Sequence, residues 1–516
     1  MMSPRTSTAW PYVAVFVVGA LIGGVAMVEV VPADRLASAG ATTAQSDGST
    51  PLADGTAPAA VAPGAHNVKG HGPAAIGPAA ANGTQTATGQ NGGGAAAIPP
   101  AKPGLTCSAS GNGGATDRGV SASEIKLATT VVQSGIGSAF LGEMRYAMDA
   151  VVAQVNRAGG ICGRRLSITY KDDGWNATTG AQYLRDFIQS GVFAIPVGAS
   201  SEGLQVVVKS GDLDSAHMPV VGTDGLAIEQ YARDDGSAQP WVWPIATSTA
   251  SSARIMADQA YKRGARHMAI VFDNNYHFGR EAASAFNAEV HRLTGHDVQG
   301  YNSNNGCNGL YCGIQAGQNS YSSQAATVKQ GSPDFIALFL EPETALTWMQ
   351  DPNTPAANST TVKYGYAAAQ PLFTYQFESQ CGAKCDQMVA WTGFKPNVEQ
   401  YTRDSAVRSY VDALRSVNPQ ADPYNQFSEG AYQGMQLLVA ALRKVGPDLT
   451  RARLQAVLNA MTLKGGLTLQ NSLAFTPTSR YASTTMQAFT MQYKGTPGGW
   501  RSGAIAHDPH AALGAG

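Results

Sequence analysis

The segment VNRAGGICGRRLSITYKDDG, residues 155–174, gives the clearest indication of the fold. A helical pattern ends at Gly159 and Gly160, and glycine readily adopts the left-handed conformation of a helix C-cap. After a turn, an apolar run predicts a strand. Asp172 and Asp173 then lie at the carboxyl end of this strand, where open α/β sheets bind ligands. The two aspartates are interpreted either as caps of the turn and the next helix or as ligand contacts.

The same alternation of short apolar strands and amphipathic helices begins at Ile125 and continues along the chain. A second alternating set begins near residue 266. Three helical stretches follow at residues 398–417, 424–445 and 449–461, and the final segment predicts short strands. This order predicts an α/β protein with two lobes, each a parallel sheet with helices on both faces.

Composition excludes several functional classes. The chain has 516 residues, enough for two or more packed units. A net charge of −1 and a charged fraction of 14% give no electrostatic basis for binding nucleic acid. The sequence contains no nucleophile elbow, phosphate-binding loop or zinc-protease motif, so we predict neither an enzyme, nor a cofactor, nor a metal site.

The N-terminal segment, residues 1–39, predicts either a membrane anchor or a cleaved signal peptide. An apolar run at residues 9–28 follows Arg5 and has about the length that spans a bilayer, roughly 20 residues. A secretory apolar region is usually shorter, roughly 7–15 residues. However, the sequence LASA at residues 36–39 offers a cleavage site. Both interpretations predict an extracytoplasmic protein, and the first predicts membrane attachment.

Residues 40–103 predict a disordered linker. They consist mainly of Ala, Gly, Pro, Thr, Ser and Asn, with almost no large apolar side chain. Such a segment cannot bury enough apolar surface to offset the entropy lost on ordering. As a coil of about 64 residues, it would span ~45 Å root-mean-square.

All six cysteines lie after this linker. An even number of cysteines in an exported chain predicts disulfides. Spacing suggests two local pairs, which leaves one long-range pair. The predicted pairs are Cys307–Cys312, Cys381–Cys385 and Cys107–Cys162. A zinc site made by the four cysteines of the two local pairs is the alternative.

Three segments in this order resemble the leucine/isoleucine/valine-binding-protein family of type I periplasmic solute-binding proteins. The first is the opening segment, residues 155–174. The second is YHFGREAASAF, residues 276–286, and the third is FSEGAYQGMQLLVAALRKVGPDLTRARLQAVL, residues 427–458. The resemblance extends over about residues 125–493, nearly all of the predicted folded part.

The resemblance implies two lobes joined by three hinge crossovers, with a small solute trapped between them when they close. The first lobe would comprise residues 120–247 with a return at residues 393–465. The second lobe would comprise residues 248–392 with C-terminal strands in residues 466–500.

Two polar loops are implied as the solute site of the first lobe, VGASSEG and VGTDG. Ser200 and Ser201 offer hydroxyl and N–H groups at a helix N-terminus, which suits an anionic group, although plain N-capping is the alternative. Thr223 and Gly225 are implied contacts in the second loop. Asp224 departs from the family pattern, because amino-acid binders carry a small residue there.

Aromatic and acidic residues are implied as the rest of the site. Phe140 stands near the first loop, and Tyr276 and Phe278 stand at the start of a second-lobe helix. These three residues are interpreted either as solute contacts or as core. Glu341 or Glu378 is implied as the second-lobe carboxylate that meets an ammonium group.

The function implied by the resemblance is capture of a small amino-acid-like or amide-like solute and its delivery to an ABC permease and ATPase in the membrane. A membrane-tethered sensor that uses the same lobes to signal a partner protein is the alternative.

Overall fold

The computed structural model describes residues 98–223, 227–395, 401–470, 472–493 and 497–510. These residues all belong to one compact unit. The predicted N-terminal segment and most of the predicted linker lie outside the described residues, as do Asp224 and Gly225. Within the described part of the chain, no helix is long and apolar enough to cross a membrane.

Strands and helices alternate along most of the described chain. The strands are β1 (Glu124–Val131), β2 (Arg165–Asp172), β3 (Ile195–Pro196), β4 (Val220–Thr223), β5 (Val242–Pro244), β6 (Met268–Asp273), β7 (Cys307–Asn308), β8 (Tyr311–Ile314), β9 (Phe335–Phe339), β10 (Tyr366–Ala368), β11 (Val389–Thr392), β12 (Thr462–Lys464), β13 (Ser472–Ala474), β14 (Thr485–Tyr493) and β15 (Pro497–His507). The helices are α1 (Ser138–Leu141), α2 (Met144–Arg157), α3 (Ala177–Ser190), α4 (Ser201–Lys209), α5 (Asp212–Ala216), α6 (Thr249–Lys262), α7 (His277–Thr294), α8 (Ser322–Gln330), α9 (Pro342–Gln350), α10 (Tyr375–Cys381), α11 (Ser405–Val417), α12 (Gln426–Val445) and α13 (Arg451–Leu458).

The first lobe is built on a parallel sheet with the strand order β2-β1-β3-β4-β5. A bridge between Leu127 and Ala194 joins β1 to β3. Strand β4 is buried throughout, as expected for an apolar strand covered on both faces. Helix α12 packs directly on β4, because Gly434 and Gly222 lack side chains: a Cβ on Gly434 would lie 2.0 Å from the Gly222 carbonyl oxygen.

The second lobe is built on an eight-stranded sheet with the order β15-β14-β11-β10-β9-β6-β8-β7. Strands β8, β6, β9, β10 and β11 are parallel, as predicted. Strands β7, β14 and β15 pair antiparallel with their neighbours. The C-terminal strands are also longer than predicted, with 9 residues in β14 and 11 in β15. Only three residues separate them, and so short a connection favours an antiparallel hairpin.

Three connections pass between the lobes, at residues 245–248, 393–404 and 475–484. They lie side by side, since the hydroxyls of Thr247 and Ser483 are 3.3 Å apart. A Cβ on Gly393 would lie 3.1 Å from the same Thr247 hydroxyl. The predicted two-lobed fold with three crossovers is therefore confirmed.

The opening segment folds as predicted. Helix α2 ends at Arg157, and Gly159 and Gly160 follow with φ angles of 91° and 78°. A Cβ on Gly160 would lie 2.0 Å from the Arg164 carbonyl oxygen, so the tight turn requires glycine there. Strand β2 begins immediately afterwards.

The six cysteines form three disulfides, with the pairing predicted from the sequence: Cys107–Cys162, Cys307–Cys312 and Cys381–Cys385. The alternative zinc site is wrong, because both local pairs are oxidised. The long-range disulfide fastens residues 98–119 to the turn before β2. Asn112 Nδ2 donates to the Cys162 carbonyl (3.0 Å), and Arg164 donates to the Gly114 carbonyl (3.1 Å).

Candidate functional site

Four aromatic rings from the two lobes meet at the carboxyl ends of the two sheets. Trp175, which follows β2, stacks on Tyr276 of the second lobe with 4.0 Å between ring centroids and 18° between ring planes. Phe140 packs edge-on against Trp175 at 5.3 Å, and Phe278 lies 6.4 Å from it. The structure thus brings together the three predicted aromatic residues. They surround Trp175, which the sequence interpretation missed.

Trp175 is held at the centre of this group by the turn that precedes α3. Its φ of 61° is left-handed, a conformation that is costly for a bulky residue and is often found at functional sites. The side chain is only 4% exposed. Its indole Nε1 has no hydrogen-bond partner among the described residues. A buried donor without a partner at the lobe junction suits an acceptor atom of a solute.

The two aspartates of the opening segment cap this turn, as the first interpretation predicted, but the next helix, α3, is capped by Asn176 and not by them. Asp172 Oδ1 accepts from the Gln133 and Gly174 N–H groups at 2.8 and 3.1 Å. Asp173 Oδ1 accepts from the Trp175 N–H at 2.9 Å. Asp173 therefore fixes the position of Trp175 directly.

Asp173 is also part of a buried polar group on the first lobe. Its side chain is 3% exposed, and burial raises the pKa of Asp173 to about 6. The hydroxyls of Ser200 and Thr130 and the Trp175 N–H oppose that rise. Neither hydroxyl reaches normal hydrogen-bond geometry, and Asp173 Oδ2 has no hydrogen-bond partner in the part of the chain that the structure describes. Asp173 Oδ2 and the two hydroxyls can therefore still form hydrogen bonds at the edge of this sheet.

The predicted polar loops lie at the same edge. Ser200 is fully buried at the N-cap position of α4, but its side chain does not cap the helix. Ser201 is the first residue of that helix and is partly buried. Thr223 ends β4 and donates to Gln230 Oε1 at 2.9 Å. Asp224 and Gly225 lie outside the described residues.

Two buried carboxylates lie on the second lobe beneath Tyr276. Glu341 caps α9 by accepting from the N–H groups of Thr344 and Glu343, at 2.6 and 2.8 Å. Asp273 Oδ2 accepts from the Glu341 N–H at 2.9 Å, whereas no described residue bonds to Asp273 Oδ1. Burial and the nearby Glu341 charge raise the pKa of Asp273. Burial and the charges of Asp273, Glu341 and Glu202 raise the pKa of Tyr276 to about 12.

Glu378, the other predicted second-lobe carboxylate, has a different environment. It lies in α10 and accepts from the Gly499 N–H of β15 at 2.8 Å. Of the two candidates, Glu341 is therefore the one that lies near the aromatic group.

A second feature missed from the sequence is a polar cluster that joins the lobes. His277 begins α7, and its Nε2 lies 3.0 Å from Glu229 Oε2, in the turn after β4. The same nitrogen lies 3.3 Å from Glu281 Oε2, one helical turn further along α7. The His277 N–H donates to Glu202 Oε1 at 3.0 Å. We call Glu202, Glu229, His277 and Glu281 the His277 cluster.

The protonated form of His277 is favoured in this cluster. Burial alone would lower the pKa of His277, but hydrogen bonds to Glu229 and Glu281 raise it to about 9. Burial likewise opposes ionisation of Glu229, but contacts with His277 and Lys209 lower its pKa to about 2.

Glu229, His277 and Glu281 are also close enough to hold a divalent cation, since their ligand atoms all lie within 4.8 Å of one another. However, Lys209 already pairs with Glu229 Oε1 at 2.7 Å. Both carboxylate oxygens of Glu281 accept backbone N–H groups. The cluster therefore satisfies its own charges and hydrogen bonds.

A cavity of about 460 Å³ opens between the lobes beside Ala139 and Asn425, the latter bonded to the Phe140 carbonyl. Glu143 lines it from the first lobe and Tyr375 from the second. Burial raises the pKa of Glu143 to about 7. The volume lies within the range of about 300–1,000 Å³ typical of small-molecule sites.

The sequence profile of a family described as periplasmic binding protein matches residues 124–496. The chain belongs to this family. Members bind small-molecule solutes and deliver them to ABC transporters, outside the cytoplasm and without enzymatic activity. The predicted family, the extracytoplasmic location and a solute-binding role are therefore confirmed.

Solved structures of this fold are similar to the chain at low sequence identity. A possible leucine/isoleucine/valine-binding protein from Rhodopirellula baltica is 15% identical with a TM-score of 0.59, over 74% of this chain and 96% of that protein. A fatty acid ABC transporter substrate-binding protein from Thermomonospora curvata is 18% identical with a TM-score of 0.61, over 77% and 95%. An R. palustris solute-binding protein in complex with benzoate is 17% identical with a TM-score of 0.58, over 75% and 97%. No curated protein sequence is significantly similar to the chain.

Proposed function

We propose that this periplasmic binding protein captures a small amino-acid-like or amide-like solute between its lobes and delivers it to an ABC permease and ATPase. The main support is the aromatic group of Phe140, Trp175, Tyr276 and Phe278, which lies where both lobes meet. On both sides of it, Asp173 and Asp273 have buried oxygens that bond to none of the described residues. Apolar walls with a few polar groups are typical of small-molecule sites.

The solute would be held by both predicted loops. Ser200, Ser201 and Thr223, with backbone N–H groups including that of Gly225, would bind its acceptor end. Asp224 would bind a cationic or N–H donor group, because an unpaired carboxylate in a closed cleft is costly. The aromatic group would close over the apolar part, and Glu341 would lie on the opposite side.

Substitution of Asp224 should affect affinity more than substitution of Ser200. We expect Asp224→Ala to weaken a donor-bearing solute by about 2–5 kcal/mol if the charge pair is buried. Ser200→Ala should cost about 0.5–1.5 kcal/mol, because the backbone donors remain. Calorimetry compares both variants with Asp234→Ala, an exposed carboxylate in the same β4–β5 connection. Unchanged affinity in both variants, together with complete loss in Tyr276→Ala, would show that the solute is held from the second lobe alone.

A thermal-shift screen tests the proposed function. The library would contain amino acids, amides, urea, polyamines and aromatic acids. A solute present at 100 times its dissociation constant should add about 2.7 kcal/mol to the free energy of unfolding. Failure of every compound to shift the unfolding temperature would count against capture of this solute class.

We further propose that residues 9–28 remain as an uncleaved membrane anchor. The first cysteine is Cys107, far downstream, so no cysteine follows the apolar run closely enough for lipid attachment. N-terminal sequencing of the mature protein should therefore find no cleavage after residue 39. A mature N-terminus at or near Gly40 would establish a cleaved signal peptide.

A further inference from the structure

His277 of the second lobe contacts two carboxylates of the first lobe. Its imidazole bonds to Glu229 and its backbone N–H bonds to Glu202, at 3.0 Å in both cases. Glu202 lies within the predicted loop VGASSEG, in the first turn of α4. Glu229 belongs to the turn Ile228–Gln230, which follows the predicted loop VGTDG. One second-lobe residue therefore contacts the first predicted solute loop and the turn that follows the second.

Glu281 extends the same connection. Its Oε2 accepts from the Ile228 N–H of the first lobe at 3.0 Å, and its Oε1 accepts from the Ala250 N–H at the start of α6 at 3.1 Å. Ile228 begins the turn that contains Gln230, whose side chain accepts from Thr223. The second lobe thus holds the turn Ile228–Gln230, and this turn also bonds to Thr223 at the end of β4.

The carboxylates around His277 favour its protonated imidazole. Carboxylates face it from α4 (Glu202), from the turn after β4 (Glu229) and from α7 (Glu281). Two other cations lie nearby. Lys209 of α4 pairs with Glu229, and the charge of Arg280 of α7 opposes the rise in the pKa of Glu202. Burial raises the pKa values of Glu202 and Glu281, and contact with His277 opposes that rise in both. Loss of the imidazole proton would therefore remove a positive charge that stabilises these buried carboxylates, which is costly.

We propose that His277 is a positioning residue that couples solute capture to the uptake of one proton. This inference rests on the proposed function. Closure of the lobes brings Glu202 and Glu229 onto the protonated imidazole. The same contacts hold α4 and the turn Ile228–Gln230 against the second lobe.

The direction of the pH effect follows from the contacts that His277 makes in the open and in the closed form. In the open form, His277 retains Glu281 on its own helix but loses Glu202 and Glu229, so its pKa falls from about 9 toward the ordinary value of 6.5. Below the pKa of the open form, His277 is protonated in both states and affinity is independent of pH. Between the two pKa values, closure takes up a proton, so affinity decreases as pH rises. Above about pH 9, the contribution is lost.

Calorimetry with a solute found in the screen tests this coupling between pH 7 and pH 9.5. We expect affinity to fall about tenfold or more over this range, since one coupled proton changes affinity up to tenfold per pH unit. Titrations near pH 8 in buffers of different ionisation enthalpy should show uptake of up to about one proton. His277→Gln should bind more weakly at pH 7, lose the pH dependence and approach the wild-type affinity at pH 9.5. The control is His291→Gln, an exposed histidine on the same helix, which should keep the wild-type profile.

Solute binding that does not depend on pH, or a His277→Gln variant with the wild-type profile, would overturn the proposal while the proposed function stands. A second measurement is NMR titration of histidine ring carbons with and without the solute, with His277 assigned among the nine histidines by its absence in the variant. We expect a higher pKa for His277 in the solute-bound protein than in the free protein, and equal values would overturn the proposal. Titration with Zn²⁺ tests whether the His277 cluster is a metal site instead. Tight binding that His277→Gln abolishes would identify a metal site in place of proton coupling.

Discussion

Replacing Trp175 with alanine is expected to lower solute affinity about 100-fold or more, a loss of ~3 kcal/mol. The indole is almost fully buried and stacks on Tyr276 across the lobe junction. Removing a buried tryptophan side chain generally costs about 3–5 kcal/mol. Because Trp175 and Tyr276 stack only when the lobes are closed, losing the stack destabilises the closed form relative to the open form. A smaller population of the closed form lowers the affinity for the solute. Calorimetry with a solute from the screen measures the effect.

Trp348→Ala is the matched control for this prediction. Trp348 is also buried, but it lies in α9 and packs against Tyr321 inside the second lobe. It should lower the free energy of unfolding without a comparable loss of affinity in the folded protein. If Trp175→Ala binds the solute within about threefold of the wild type, the indole has no part in capture.

Removing the long-range disulfide is expected to lower the free energy of unfolding by about 4 kcal/mol. Cys107 and Cys162 are separated by 55 residues, and in the chain-entropy model the stabilisation grows with the length of the closed loop. The disulfide also holds residues 98–119 on the first lobe, where Asn112 bonds to the Cys162 carbonyl. Urea denaturation of the Cys107→Ser/Cys162→Ser variant measures the loss.

The local disulfides supply an internal comparison. The pairs Cys307–Cys312 and Cys381–Cys385 close loops with separations of only 5 and 4 residues. The same model gives about 2 kcal/mol for each. A loss in the long-range variant that does not exceed the loss in Cys307→Ser/Cys312→Ser would show that loop length does not control stabilisation here.

The fold could be predicted from the sequence because its determinants are local. Residues 155–174 contain a helix end, a glycine turn and a strand in a fixed order, and each depends on conformational preferences of nearby residues. The antiparallel pairing of β14 with β11 was not predicted. It depends on how the returning chain meets the edge of the sheet, and apolar periodicity carries no information about that choice.

The site could be predicted only in part, because it is assembled from both lobes. Phe140, Tyr276 and Phe278 were identified by resemblance, and they do lie together. The sequence does not single out Trp175, although it directly follows Asp173 and Gly174, because turn signals do not indicate which side chain the turn positions. An aromatic residue in a turn at the carboxyl end of a parallel strand was the available signal.

The His277 cluster had weaker signals in the sequence. His277 and Glu281 are four residues apart at the start of a helix, which places them on one face. Their partners Glu202 and Glu229 lie 75 and 48 residues earlier along the chain. Only the closure of two separately folded lobes brings these side chains together, so spacing alone could not indicate the cluster.

Hydrogen–deuterium exchange with and without a solute from the screen tests most directly whether the solute is captured between the lobes. Capture predicts that the solute slows exchange at the carboxyl edges of both sheets, in peptides covering residues 197–204, 223–230 and 273–281. Peptides at the far ends of the lobes, such as residues 322–330, should exchange as before. Protection confined to one lobe, or located away from these three segments, would contradict capture between the lobes.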